Sequence, residues 1–205
     1  MFSVFRNATV GAAPLALAAG FALTAQAAYT VTLVQQGPDV VASGSGSIDL
    51  TDLSFEHNLN NSAFIIPNDA LIYTGPSFPV VSPLDRYTGL TGPTSFGSGG
   101  GDFPVSGSGD LVGIEFGADA FQALFVPAGY LSGAPLTDTS TYAGQTFASL
   151  GVTPGTYVWT WGTGVDADTF TLQIGAAAAA PEPASLTVLA MGLAGLGMVL
   201  RTRRA

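Results

Sequence analysis

The sequence predicts an all-β domain, a β-sandwich with a jelly roll as its finer topology. Three observations point there. Glycine and proline are dense, with 27 Gly and 13 Pro in 205 residues, and glycine stands near twice its usual share of ~7 %. Twenty-two of these glycines fall between residues 28 and 180, a punctuation that long amphipathic helices do not survive. Between the glycines lie short segments alternating apolar and polar residues, the period of a half-buried strand. The last segments form an aromatic hairpin, and several short strands at this spacing favour two packed sheets.

From the N-terminus, Arg6 and the α-amino group precede an apolar run, Val10 to Leu23. Ala25-Gln26-Ala27 then supplies the small-x-small pattern that a signal peptidase reads, which places cleavage before Ala28. The run is too short to span a bilayer comfortably and ends at a cleavage site, as a secretory signal does. An uncleaved N-terminal anchor is the rival reading. The body that follows, residues 28–175, is long enough to bury a core in a single domain.

Within it, Tyr29 to Val34 alternates as an early strand, and Ile48 to Phe55 is predicted to continue the pattern. Ala63 to Ile66 and Ala70 to Tyr73 are short apolar runs bounded by Pro67 and Gly75. Gly97 to Gly109 is Gly/Ser-rich and reads as a surface loop. Leu111 to Phe116 and Phe121 to Val126 are predicted strands on either side of Gly117-Ala-Asp-Ala120. The clearest element follows the Pro154-Gly155 turn. Thr156 to Trp161 places Tyr157, Trp159 and Trp161 on one face; after a loop, Thr169 to Ile174 places Phe170, Leu172 and Ile174 on one face. These apolar faces can pair across the hairpin and pack on a second sheet.

Beyond Gly175 a small-residue linker, 176–183, contains Pro181-Glu182-Pro183. Ala184 to Leu200 carries no charge, and Arg201, Arg203 and Arg204 close the chain. Such a stretch reaches the lower limit of a transmembrane helix, ~17–25 residues. The arginines stop transfer and stay cytoplasmic, leaving the body outside and 201–205 as a basic tail. In this order, triplet, apolar helix and terminal arginines resemble the PEP-CTERM sorting signal. The resemblance covers residues 181–205 only. It implies recognition of Pro181, Glu182 and Pro183 by an integral membrane protease, exosortase, which cuts nearby. It also implies a Gram-negative bacterium making exopolysaccharide, with delivery to the cell surface, extracellular matrix or biofilm. A plain single-pass anchor, its prolines merely ending a linker, is the rival reading. The 154–174 hairpin is similar to stretches just before the tail in small PEP-CTERM proteins of unknown function, a likeness that brings no activity.

Charge and composition exclude much else. The formal net charge is −9, and Arg86 is the only lysine or arginine between 28 and 180. Nucleic-acid binding by charge neutralisation is not expected. The chain has no cysteine and no lysine, which removes disulfides, thiolate metal sites, cysteine nucleophiles and Schiff-base lysines.

Enzymatic chemistry is not expected. The one histidine, His57, has no second histidine to share a metal, and its neighbour Glu56 should point away from it on a strand. No Gly-x-Ser-x-Gly elbow occurs, and the carboxylates single out no pair. No cofactor is expected. Asp166 and Asp168 offer two carboxylates to calcium, and Gly99-Gly-Gly-Asp102 a single Gly-Asp unit, but aspartate in turns is routine. The expected partners are the secretion machinery with its signal peptidase, an exosortase-like protease, the membrane through residues 184–200, and exopolysaccharide. The expected role is structural or interactive. A carbohydrate-binding module is the alternative if Trp159 or Trp161 lies exposed as a platform, although such a row is more often core. A surface hydrolase, acting through His57 or a close carboxylate pair, is the remaining reading.

Overall fold

Alternation at the start of the body fixes its first hairpin. In β1 (Tyr29–Gln36) the side chains of Tyr29, Val31 and Leu33 are buried, and β2 (Asp39–Gly46) returns antiparallel with Val40 and Ala42 buried. The computed structural model describes residues 28–117 and 122–175. Ala25 and Ala27 of the cleavage site, the linker with Pro181, Glu182 and Pro183, the apolar stretch 184–200 and Arg201, Arg203 and Arg204 lie outside the described residues.

The strand expected over Ile48 to Phe55 is corrected. Residues 47–53 form a connection, and β3 runs later, from Ser54 to Asn61. The Asp49 carboxylate accepts from the Thr51 N–H at 2.9 Å and the Thr51 hydroxyl at 2.6 Å, a local turn that competes with strand pairing. Ile48 still reaches the core. The next two expected strands are present as β4 (Phe64–Ile66) and β5 (Leu71–Thr74), joined by a 3-10 turn over Pro67–Asp69. β6 (Ser82–Thr88) follows. The Gly/Ser-rich stretch expected as loop ends in a strand, β7 (Ser106–Gly109), paired with a later one. β8 (Val112–Glu115) and β9 (Ala123–Pro127) lie where strands were expected, with Phe121 outside the described residues. β10 (Leu136–Tyr142) precedes a one-turn helix, α1 (Phe147–Leu150), capped reciprocally by Thr146 and Ser149. The hairpin of β11 (Gly155–Trp161) and β12 (Asp168–Ile174) closes the described fold.

The strands make two six-stranded sheets packed as a β-sandwich. The first has the order β11-β12-β1-β2-β10-β7, the second β3-β6-β9-β8-β5-β4. β1 pairs with β12 in parallel, Tyr29 beside Phe170, and the other strand pairs are antiparallel.

The core joins Val31, Leu33, Trp159, Phe170 and Leu172 of the first sheet to Ile72, Ile114, Leu124 and Val126 of the second. Trp159 and Trp161, 0 % and 4 % exposed, point inward as the alternation favoured. Their indole N–H groups donate to the carbonyls of Pro93 at 2.9 Å and Asp49 at 2.7 Å, so neither ring buries an unpaired donor. Gly92 lies against the Trp159 ring, where a Cβ would collide with it.

At the other end of the first sheet the interior is polar. Asp138 and Ser140 of β10 point inward. Tyr29 donates its hydroxyl proton to Asp138. Ser140 bridges to Gly75, just past β5 of the opposite sheet, accepting from its N–H at 2.9 Å and donating to its carbonyl at 3.0 Å. Gly44 of β2 faces the Tyr29 hydroxyl and the Asp138 carboxylate closely enough that a Cβ would strike both. Among the described residues no helix is long and apolar enough to cross a membrane.

Candidate functional site

The outer face of a sandwich sheet normally meets water with polar side chains. The second sheet departs from this with a separate apolar cluster that includes Leu84, Tyr73, Phe125 and Ala123. Strand register explains its shape. His57, Arg86, Phe125, Gly113, Tyr73 and Phe64 are successive partners across β3, β6, β9, β8, β5 and β4, one rung spanning all six strands. Gly113 contributes no side chain, so the Tyr73 ring lies across it and meets Phe125 edge-on, centroids 5.0 Å apart. Further along the rung, Phe64 is covered by Phe103, centroids 4.4 Å apart.

Arg86 is buried on this face, its guanidinium carbon 6.0 Å from the centre of the Phe125 ring. It pairs with Glu56. The sequence places Glu56 and His57 on opposite faces of a strand, and here the expectation is corrected. Register shifts between Phe55 and His57, a β-bulge. The extra residue turns the Glu56 carboxylate back over the face that carries His57 and Arg86, as bulges re-aim side chains. Glu56 lies 4.0 Å from His57 Nδ1, too long for a hydrogen bond.

These groups rim a cleft of about 220 Å³, lined chiefly by His57, Asn61, Tyr73, Arg86, Glu115 and Phe125. Glu115 accepts a long hydrogen bond, 3.4 Å, from the Tyr73 hydroxyl. Burial raises its carboxyl above the usual range, and that hydrogen bond and the Arg86 charge oppose the shift. The cleft thus has an aromatic floor, an amide, a guanidinium and the Glu115 carboxylate. Glu56 lies outside the lining and pairs with Arg86, so the cleft with this partner carries one negative charge when both carboxylates are ionised and His57 is neutral.

No protein-family model, curated protein or solved structure matches the chain. The chemistry of the cleft is therefore read from its own side chains.

The residues singled out in the sequence are dispersed. His57 stands exposed at the cleft rim. Trp159 and Trp161 form no platform, because they are core. The Asp102 carboxylate accepts the N–H of Phe103 at 2.8 Å. Asp168 is buried beside β11 and accepts two backbone N–H groups, from Asp49 and Thr169, both at 2.6 Å. Among the described residues no three of the metal-ligating acids and histidine gather into a cation site. Ala28 lines a second cavity, beside Asp168 and Trp161. Sequence reasoning missed Asn61, Tyr73 and Arg86 as site residues and weighed Glu115 only among scattered carboxylates. One signal was available: the only arginine of the body lies in a strand, where a lone charge needs a partner.

Proposed function

We propose that this chain is an exported, non-catalytic surface or extracellular-matrix protein with a structural or interaction role tied to exopolysaccharide and biofilm. In this reading a signal peptide is removed before Ala28. A single transmembrane helix, 184–200, then holds the chain transiently in the inner membrane, and an exosortase-like protease acts at Pro181, Glu182 and Pro183. The observation that carries it is the placement of strands between the two signals. β1 begins at Tyr29 and β12 ends at Ile174, so trimming both ends deletes no strand of either sheet. The exposed apolar group Phe78, Phe103 and Val105 suits an interaction role. The jelly-roll topology is supported by nesting: β8–β9 in one sheet sits within β7–β10 in the other, although the parallel β1–β12 pair departs from an all-antiparallel roll.

Fractionating cells that carry Pro181→Ala with Pro183→Ala tests the sorting reading. The double variant should accumulate in the membrane fraction while the unaltered protein is released to the surface. Equal release of both would leave the triplet without a sorting role, and retention of both in the membrane with Arg204 still present would favour a plain anchor.

A second reading, saccharide binding, is favoured by the outer-face cleft rather than by the tryptophans. Asn61, Arg86 and Glu115 supply donors and acceptors suited to hydroxyl groups, and Tyr73 and Phe125 supply an apolar floor. The volume is below the ~300–1,000 Å³ of drug-sized sites, which suits a single sugar ring. The negative balance selects a neutral sugar over a uronate. Calorimetric titration with a neutral polysaccharide from the matrix should show binding that Asn61→Ala weakens about tenfold. Val158→Ala, on the outer face of the other sheet, should leave it unchanged. Equal affinity in all three proteins would exclude the cleft.

A further inference from the structure

The described fold starts at Ala28, the residue that becomes the N-terminus if the signal peptide is removed as proposed. Two contacts fix where that end lies. The Ala28 carbonyl accepts the Ser47 N–H at 3.3 Å. The parallel register of β1 on β12, Tyr29 beside Phe170, brings Ala28 alongside the start of β12. There a cavity of about 280 Å³ is lined by Ala28, Thr160, Trp161, Gly162, Asp168 and Thr169, among others.

Asp168 is the buried acid of that cavity, 2 % exposed. Its two backbone donors fill only part of a carboxylate's acceptor capacity. Among the described residues, the groups around it bring no positive charge. Asp49 follows β2 and donates its backbone N–H to Asp168, Asp52 lies against Gly162, Asp166 shares the hairpin loop, and Tyr130 follows β9. Arg86, the one arginine of the body, and His57 both lie on the opposite sheet.

We propose that the α-ammonium group created at Ala28 by signal-peptide removal pairs with the Asp168 carboxylate in this cavity, so that processing itself completes the domain's electrostatics. The inference rests on the export reading above. In the precursor, the Ala28 nitrogen is an uncharged amide. Hydrolysis of the Ala27–Ala28 bond consumes one water, leaves a carboxylate on Ala27 and frees an amine on Ala28 that is protonated at neutral pH. Burial pushes the Asp168 carboxyl up to about 6, with the Asp49 charge adding to the shift and the two backbone hydrogen bonds opposing it. An adjacent ammonium opposes that shift and is itself held in the charged form.

The absence of lysine makes the test direct, because the α-amino group of the exported protein is its only primary amine. Protein recovered after export is reductively methylated with ¹³C-formaldehyde, and the single labelled group is titrated by NMR. An unperturbed α-amino group titrates at about 7.7–8.0, and the same label in the denatured protein gives the internal reference. The folded protein should titrate at least about one unit above that reference. Asp168→Asn should return it to the reference, and Asp52→Asn should leave it raised. A folded value equal to the denatured one overturns the proposal, as does a raised value that persists in Asp168→Asn. Should Asp168→Asn fail to fold, acetylating the amine of the unaltered protein should lower its thermal midpoint at pH 7 and not at pH 4; no effect at either pH also overturns it. N-terminal sequencing that begins elsewhere than Ala28 overturns the cleavage reading on which it rests, a failure distinguishable from an unpaired amine at Ala28.

Discussion

The two ends of the first sheet bury opposite chemistry. At one end β11 and β12 press Trp159 and Phe170 together, ring centroids 5.8 Å apart, with the indole N–H satisfied by a carbonyl. At the other end β10 turns Asp138 and Ser140 inward to meet Tyr29 and Gly75. Apolar burial is non-directional and adds stability in proportion to area. Buried polar groups add little net stability but are costly when unpaired, so they specify which strands meet and in what register. The Ser140 bridge to Gly75 ties the two sheets at one position. The aromatic end supplies the larger share of stabilisation, and the polar end sets alignment.

The largest expected effect comes from the aromatic end. Trp159→Ala should cost about 3–5 kcal/mol, the usual range for a fully buried Trp or Phe, read as a lowered midpoint in denaturant unfolding. Phe170→Leu, which keeps most of the volume, should cost less.

At the polar end Gly44→Ala should cost about 1–3 kcal/mol, as overpacking does, because the new methyl strikes the Tyr29 hydroxyl and the Asp138 carboxylate. Thermal unfolding of the variant measures it. The same substitution at Gly100, where no atom lies within reach of a Cβ and φ is not in the left-handed region, meets no such collision.

Next comes a pH dependence. Burial raises the Asp138 carboxyl from 3.8 to about 6, partly opposed by the hydrogen bond from Tyr29. A folded value above the unfolded one means the folded state binds the proton more tightly. Its contribution is therefore fully present below about pH 4 and is lost as pH rises through 6, a change on the order of 3 kcal/mol. Unfolding free energy measured from pH 4 to 7 should fall accordingly, and Asp138→Asn should flatten that slope. A slope unchanged in the variant would remove Asp138 as its source.

The smallest effect is expected at Val158, which faces out from β11 between Tyr157 and the buried Trp159. Val158→Ala should change stability by less than about 0.5 kcal/mol, whereas the adjacent Trp159, fully buried, should not be replaceable.

The same contrast governs what could be read from the sequence. The hairpin was legible because Trp159, Trp161, Phe170 and Leu172 alternate with polar residues at period two. β10 was not, because in Leu-Thr-Asp-Thr-Ser-Thr-Tyr only the end residues Leu136 and Tyr142 are apolar, and the inward Asp138 and Ser140 between them carry no apolar signal. β7, Ser-Gly-Ser-Gly, has the composition of a loop and is a strand only because β10 pairs with it. The cleft was hidden for two reasons. Its residues come from β3, β5, β6, β8 and β9, brought together by register alone, and Glu56 reaches Arg86 only through a bulge that local pattern does not mark.

Export and processing at both ends of the body are tested most directly by the intact mass of the protein recovered from the cell surface or medium. A chain beginning at Ala28 and lacking Arg201, Arg203 and Arg204 is the expected result. A released chain that still carries the N-terminal run from Val10 to Leu23, or that retains all three terminal arginines, would contradict it.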